Sequence, residues 1–269
     1  MSFKESRIAV SIAQTQTEVD EALEFCGSVY ERNYGTRWSV PPDVFFVARE
    51  KGDIVATGGL TFAARHTKIA SERYYRLTKQ MRHFITGNRE RVVEFGRFAS
   101  VKMLGAKAIM HSALSYCTLA KTDYLFAWAN PTVSRHTSRL GLDLWPISVP
   151  LDLNNAISDS RWTRPPTGFF VRKHPPVLHL IVVPFCENVI QTLAEECGMG
   201  MRSPEWQTPD PSGVHATTRK PASFVRTIPR LVRTEADVGR PGLDLDAIPN
   251  LSSLSGPDAS LRRKPPQAE

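Results

Sequence analysis

Residues 124–142 read YLFAWANPTVSRHTSRLGL, and the architecture turns on them. The short, aromatic-rich apolar run Tyr124–Ala129 predicts a buried strand. Pro131 suits the first turn of a following helix and Gly141 the turn just past its end. Asn130, between them, is a good helix cap, because its side chain can accept from the first unpaired N–H groups. A strand therefore passes into a helix through a single polar residue.

Reading towards the N-terminus, RVVEFGRFAS (91–100) predicts a central strand with an irregularity at Gly96, and Leu104–Ala120 an apolar helix. VFFVARE (44–50) and DIVATGGLTFA (53–63) are separated by a short glycine-containing turn, a hairpin signal. RIAVSIAQ (7–14) reads as a first strand and TEVDEALEFCGSVYERNY (17–34) as a helix capped by Thr17. KIASERYYRLTKQMRHF (68–84) reads as one amphipathic helix or an ordered loop, while DLWPISVPLDL (143–153) and PPVLHLIVVPF (175–185) supply the last strands. Strands interleaved with helices predict an α/β (α+β) fold, a mixed twisted sheet flanked by helices. It should occupy residues 5–200. Residues 201–269 hold ten of the twenty prolines and little apolar periodicity, which predicts an irregular C-terminal extension with at most a docking segment at Phe224–Val232.

The 269 residues carry 41% hydrophobic and 23% charged side chains, a balance that excludes a wholly disordered, collagen-like or coiled-coil chain. A net charge of +7 favours anionic partners without choosing among phosphorylated cofactors, acidic carriers, lipid headgroups and nucleic acid. Four scattered cysteines form no CxxC motif and no run nears the length of a membrane span, so a reduced, cytoplasmic protein is expected, with peripheral membrane contact left open. The seven histidines lack metal-ligand spacing, and no GxSxG, Walker loop or GxGxxG is present. No metal is expected.

The spacing Asn130, Val133, Thr137, Gly141-Leu142 resembles the second half of the GCN5-related N-acetyltransferase superfamily. That resemblance implies a pantetheine thioester lying between two splayed parallel strands, here Val92–Ala99 and Tyr124–Ala129, with Asn130 at the cleft. Phe98, Ala99, Lys102, Gly105 and Lys107 then fall where the family's phosphate loop lies. Lys107 stands where the loop has a small residue, and both lysines also read as solvated or carrier-facing charges. EFGRFAS (94–100) together with residues 123–142 resembles the acyl-homoserine lactone synthases and the thermostable hemolysin family. The likeness spans about residues 8–155 and places Trp38, Asp43, Phe126 and Trp128 about the substrates.

Within that frame Glu94 is a general base for an attacking amine and Arg97 a contact for an acceptor carboxylate. A regular strand would turn the two to opposite faces, so a bulge at Gly96 is required. The plainer reading is an ion pair or two solvated charges. Thr137 replaces the tyrosine that acetyltransferases use as an acid, and His136 beside it points elsewhere on a helix. Cys117 reads as a buried structural thiol, and Tyr74, Tyr75, Arg76, Lys79, Arg82 and His83 as a nucleic-acid contact, a lid over an anionic donor or a solvated surface. The expected activity is acyl transfer from acyl-coenzyme A or an acyl carrier protein to a small-molecule amine, in an amino acid or derivative, with no tightly bound cofactor. The alternatives are a noncatalytic or membrane-active protein of the same fold and, less favoured, a nucleic-acid-binding module.

Overall fold

A computed structural model describes residues 8–139, 142, 144–171 and 175–197. The proline-rich extension, its docking segment, Gly141 and the side chain of His136 lie outside the described residues. Strand β1 (Ile8–Ile12) leads into helix α1 (Gln16–Tyr34), followed by the hairpin of β2 (Val44–Glu50) and β3 (Asp53–Phe62). Short helices α2 (Ala70–Tyr74) and α3 (Lys79–Gly87) precede β4 (Val92–Ser100), α4 (Met103–Leu119), β5 (Tyr124–Ala129) and α5 (Pro131–Arg139). The described chain closes with β6 (Trp145–Pro146), α6 (Leu153–Ser158), α7 (Thr167–Phe170), β7 (Val177–Val182) and α8 (Glu187–Glu196).

The strands form one mixed sheet in the order β1-β2-β3-β4-β5-β7-β6, parallel only between β4 and β5. Lys51 (φ 55°) and Gly52 (φ 95°) make the β2–β3 turn, the two positive φ angles that let a two-residue loop match strand twist. Helix α1 is capped by Thr15 rather than Thr17: its hydroxyl accepts from Glu18 N, and the Glu18 carboxylate reaches back to Thr15 N at 3.0 Å. The stretch 68–84 is two helices. The break at Tyr75–Thr78 comes from an antiparallel bridge of Tyr75 to Leu151 and from Thr78, whose hydroxyl caps α3. Of the described residues in 143–153, Trp145 and Pro146 form β6 and Leu151 bridges Tyr75; Pro146 and Pro150 have no N–H to extend a ladder.

Helix α4 covers one sheet face, with Ile109, Ala113 and Leu114 packed on Val93, Leu125 and Ile181 and with α8 behind. Gly105 lets it approach β3, because a Cβ there would sit 3.0 Å from Val55 Cγ2. The opposite face is divided. Helix α1 sets Val19, Ala22 and Cys26 on Phe45, Val47 and Ala99, while α2 and α3 set Tyr74, Met81, Phe84 and Ile85 on Tyr124, Phe126 and Leu178. Each large apolar side chain so buried contributes roughly 1.5–3 kcal/mol, which leaves the sheet well supported on both sides of the one place where it parts.

Candidate active site at the break in the sheet

The parallel ladder pairs Val92 with Tyr124 and runs to Phe95 with Ala127, where it stops. Both strands continue, β4 to Ser100 and β5 to Ala129, held on their outer edges by β3 and β7. Their inner edges diverge around a cavity of about 100 Å³. On the α4 side its walls are Phe95, Met110, Leu142, Leu144 and Ile181, all apolar; on the other are Glu94, Arg97, Trp38, Trp162, Tyr30 and Phe169. The cavity thus runs through the sheet from a hydrocarbon-like half to a polar, aromatic half.

A bulge places Arg97. Thr57 pairs with Ala99 and Gly59 with Gly96, so Gly58 alone faces both Arg97 and Phe98. The strained residue is Arg97 itself (φ 51°) rather than Gly96. A non-glycine residue in the left-handed region costs about 1–2 kcal/mol, a strain of the kind found at functional sites. The extra residue reverses the alternation: Val93 and Phe95 face α4, yet Arg97 stacks on Trp38 and Ala99 packs under α1. Glu94 and Arg97 thereby line the same cavity. Gly58 is needed opposite, since a Cβ there would meet Ile109 at 2.5 Å.

Glu94 is 2% exposed. Its Oε2 accepts from Ser71 N (2.6 Å) and Ser71 Oγ (2.5 Å), and that hydroxyl in turn accepts from Trp128 Nε1 (2.9 Å). Among the described residues Oε1 has no hydrogen-bond donor. Burial pushes the carboxyl above its ordinary range, opposed by both Ser71 bonds and by the charges of Arg97 and Arg161. A base at a cleft is best served by an affinity moved towards neutrality.

Two guanidiniums stack on the Trp38 indole, Arg97 at 4.2 Å and Arg161 at 5.0 Å from the ring centroid. Arg161 is neutralised: its Nε lies 2.9 and 3.0 Å from the Asp159 oxygens, and Tyr74 Oη donates to the same carboxylate at 2.8 Å. Partial burial would raise Asp159, but the Arg161 and Tyr74 bonds hold it down at about 2. Arg97 has no such partner among the described residues. Among the described residues its side chain makes one hydrogen bond, Nε to Val40 O at 3.2 Å, and no carboxylate lies within 4.0 Å. Burial pulls its affinity for its proton down while Glu94 supports it.

Of the residues singled out from sequence, the structure gathers Glu94, Arg97, Phe98, Asn130, Trp38 and Trp128 at the cavity. Asn130 also caps α5, with Oδ1 accepting from Val133 N at 2.9 Å. Thr137 lines the wall, but its hydroxyl is engaged by the carbonyls of Val133 and Ser134. Phe126, expected about the substrates, is buried in the core under α2 and α3. Asp43 binds Phe62 N and His66 away from the cavity, Ala99 packs on α1, and Gly105 serves helix packing. Lys102 is paired with Glu50 and Lys107 with Glu196. Met103 at the start of α4 is exposed, and Met110, further along the same helix, lines the cavity. Cys117 is fully buried, and burial raises its thiol. Sequence reading did not find Ser71, Asp159, Arg161 and Trp162. The last two arrive through a short antiparallel stitch, Trp38 opposite Trp162, with Ser39 N donating to Arg161 O.

The fold and cleft are those of an α/β protein with a sheet parted between two parallel strands. A model of the thermostable hemolysin family matches residues 12–164, and the chain belongs to that family. No curated protein matches. Among solved structures, FeeM, an N-acyl amino acid synthase from uncultured soil microbes, is 16% identical with a TM-score of 0.48, over 66% of this chain and 92% of that one. The AHL synthase LasI is 11% identical with a TM-score of 0.44, over 66% and 91%. BjaI, a CoA-dependent acyl-homoserine lactone synthase solved with SAM and isopentyl-CoA, is 11% identical with a TM-score of 0.48, over 72% and 90%.

Proposed function

We propose that this protein is an acyltransferase that moves an acyl chain from a pantetheine thioester to the amine of an amino acid or a close derivative. The observation that carries this reading is the end of the β4–β5 ladder at Phe95 and Ala127, with a cavity where the next rungs would lie. Strand edges opened in this way can pair with the amides of a pantetheine arm as a third strand would. The apolar half under α4 suits the acyl chain, and the polar half suits an amine. Helix α4 starts at the end of β4 with no side-chain cap, so its first N–H groups are suited to the donor's phosphate.

In this scheme the amine nitrogen attacks the thioester carbonyl carbon at the gap. Glu94 Oε1 takes a proton from nitrogen as the C–N bond forms; the C–S bond then breaks, and the leaving sulfur takes a proton from solvent, since Thr137 is a poor acid already bound to its own helix. Arg97, a buried cation without a carboxylate partner among the described residues, complements the carboxylate of the acceptor. Lys102 and Lys107 are each neutralised, which favours donors recognised through the pantetheine arm and phosphate over a carrier held by those two lysines. Among the described residues no helix is long and apolar enough to cross a membrane.

The test is intact-mass analysis of products after incubating the purified protein with acyl-coenzyme A and acyl-carrier donors, each with a panel of amino acids and carboxylate-free amines. A product heavier than an amino acid by one acyl group is expected. Hydrolysed donor alone, or liposome leakage without any transfer, would overturn the reading.

A further inference from the structure

We infer that Ser71 is a positioning residue, which fixes the Glu94 carboxylate at the gap and sets the pH at which it becomes a base. This deepens the acyl-transfer reading and rests on it. Three facts support it. Ser71 is fully buried and gives Glu94 Oε2 two bonds, one from its backbone and one from its hydroxyl. Trp128 Nε1 donates to that hydroxyl, so the single hydroxyl hydrogen is directed at the carboxylate. Oε1 is left, among the described residues, as the oxygen without a protein donor, on a residue that lines the cavity. Because both bonds fall on one oxygen, the carboxylate cannot rotate to present the other oxygen without breaking them.

The groups around Glu94 divide the work. Arg97 on the same strand and Arg161 from the stitched segment both favour the carboxylate form, and Arg161 is largely cancelled by Asp159. Tyr75, the next residue after α2, has its phenol kept neutral by burial and by the charge of Glu94, and it donates to Pro176 O. Against the desolvation of a buried carboxyl, Ser71 is thus the nearest and most direct support for the charged form. Removing the hydroxyl should make Glu94 harder to ionise and free its orientation.

The experiment compares wild type, Ser71→Ala and the near-isosteric Ser71→Cys by carbon NMR titration of the Glu94 carboxyl, assigned by its absence in Glu94→Gln. The Glu94 inflection should move to higher pH in Ser71→Ala, with Ser71→Cys between it and wild type. This readout needs no turnover, so an inactive wild type would remove the acyl-transfer reading and leave the titration to decide the role of Ser71. In an active protein, Ser71→Ala should lower kcat about tenfold on the acid side of the pH profile and recover as pH rises, with donor affinity retained. Added to Glu94→Gln it should cost nothing further. An unmoved inflection in the folded variants, or an equal loss of turnover with and without Glu94, would overturn the proposal.

Discussion

The two halves of the cavity share β4 and β5 but are built by different means. On the α4 side a long apolar helix supplies Met110 on a face set by helical spacing, and the wall is closed by Leu142, Leu144 and Ile181. On the other side no single element makes the wall. Tyr30 comes from the end of α1, Trp38 from a loop, Glu94 from β4 with Ser71 of α2 behind it, and Trp162 from the segment before α7, joined by one bridge and a set of side-chain bonds. The contrast places adaptability and precision on different sides. An apolar wall accepts chains of varied length with small penalties, whereas buried polar groups reject a ligand that leaves them unpaired.

The sharpest way to break the contrast is Glu94→Gln, which keeps the size of the side chain and an oxygen for Ser71. Turnover should fall by about 10²–10⁴-fold with donor binding unchanged. Its stability has a definite sign. Because the carboxyl is raised in the folded state, the stability tied to its protonated form is present below about pH 4 and is lost as pH rises through the folded value. The variant should therefore melt above wild type at neutral pH, and the two curves should converge in acid. An unchanged turnover number would remove Glu94 from the chemistry.

Gly96→Leu attacks the gap itself. Gly96 lines the cavity, has no positive φ and has nothing within 4 Å of the point a Cβ would occupy, so a side chain there would enter the gap rather than strain the sheet. Donor affinity should drop by about tenfold or more, with cooperative melting retained. Tight donor binding in this variant would put the donor elsewhere.

Arg97→Lys separates substrates. Loss of the planar fork should reduce kcat/KM by about tenfold to a hundredfold for amino-acid acceptors and leave amines lacking a carboxylate nearly unaffected. Equal losses for both would mean that Arg97 supports the bulge rather than the acceptor.

Asp159→Asn should have the smallest effect on turnover and act on stability. It releases Arg161 from its carboxylate and should cost about 1 kcal/mol at neutral pH. Since Asp159 is held down at about 2, its contribution is present above about pH 4 and is lost as pH falls towards 2. Melting curves of variant and wild type should converge over that window.

Local periodicity was enough to read β4, α4, β5 and α5, because strand and helix spacing, Pro131 and Asn130 are properties of neighbouring residues. Thr15 was equally legible, given Glu18 three residues on, a capping-box spacing that outranks Thr17. The bulge was expected from Gly96, yet the strain fell on Arg97, because register is a matter between strands and Gly58 on β3 decides it. Phe126 shares a face with Trp128 two residues on, but it lies opposite Glu94 within the ladder and under α2 and α3, so it falls in the core rather than at the gap. Ser71 and Arg161 could not be read from their surroundings in sequence. Ser71 sits 23 residues from Glu94, and Tyr74 and Arg161 are 87 apart, so only the folded chain brings them together.

The central claim, that the parted strands receive a pantetheine thioester, is tested most directly by backbone amide shifts on adding a non-transferring thioether analogue of acyl-coenzyme A. The largest shifts should fall on Gly96–Phe98 and Trp128–Ala129, the inner edges beyond the last rung at Phe95 and Ala127. Saturable binding whose shifts spare both edges, or no shifts at all, would contradict the account.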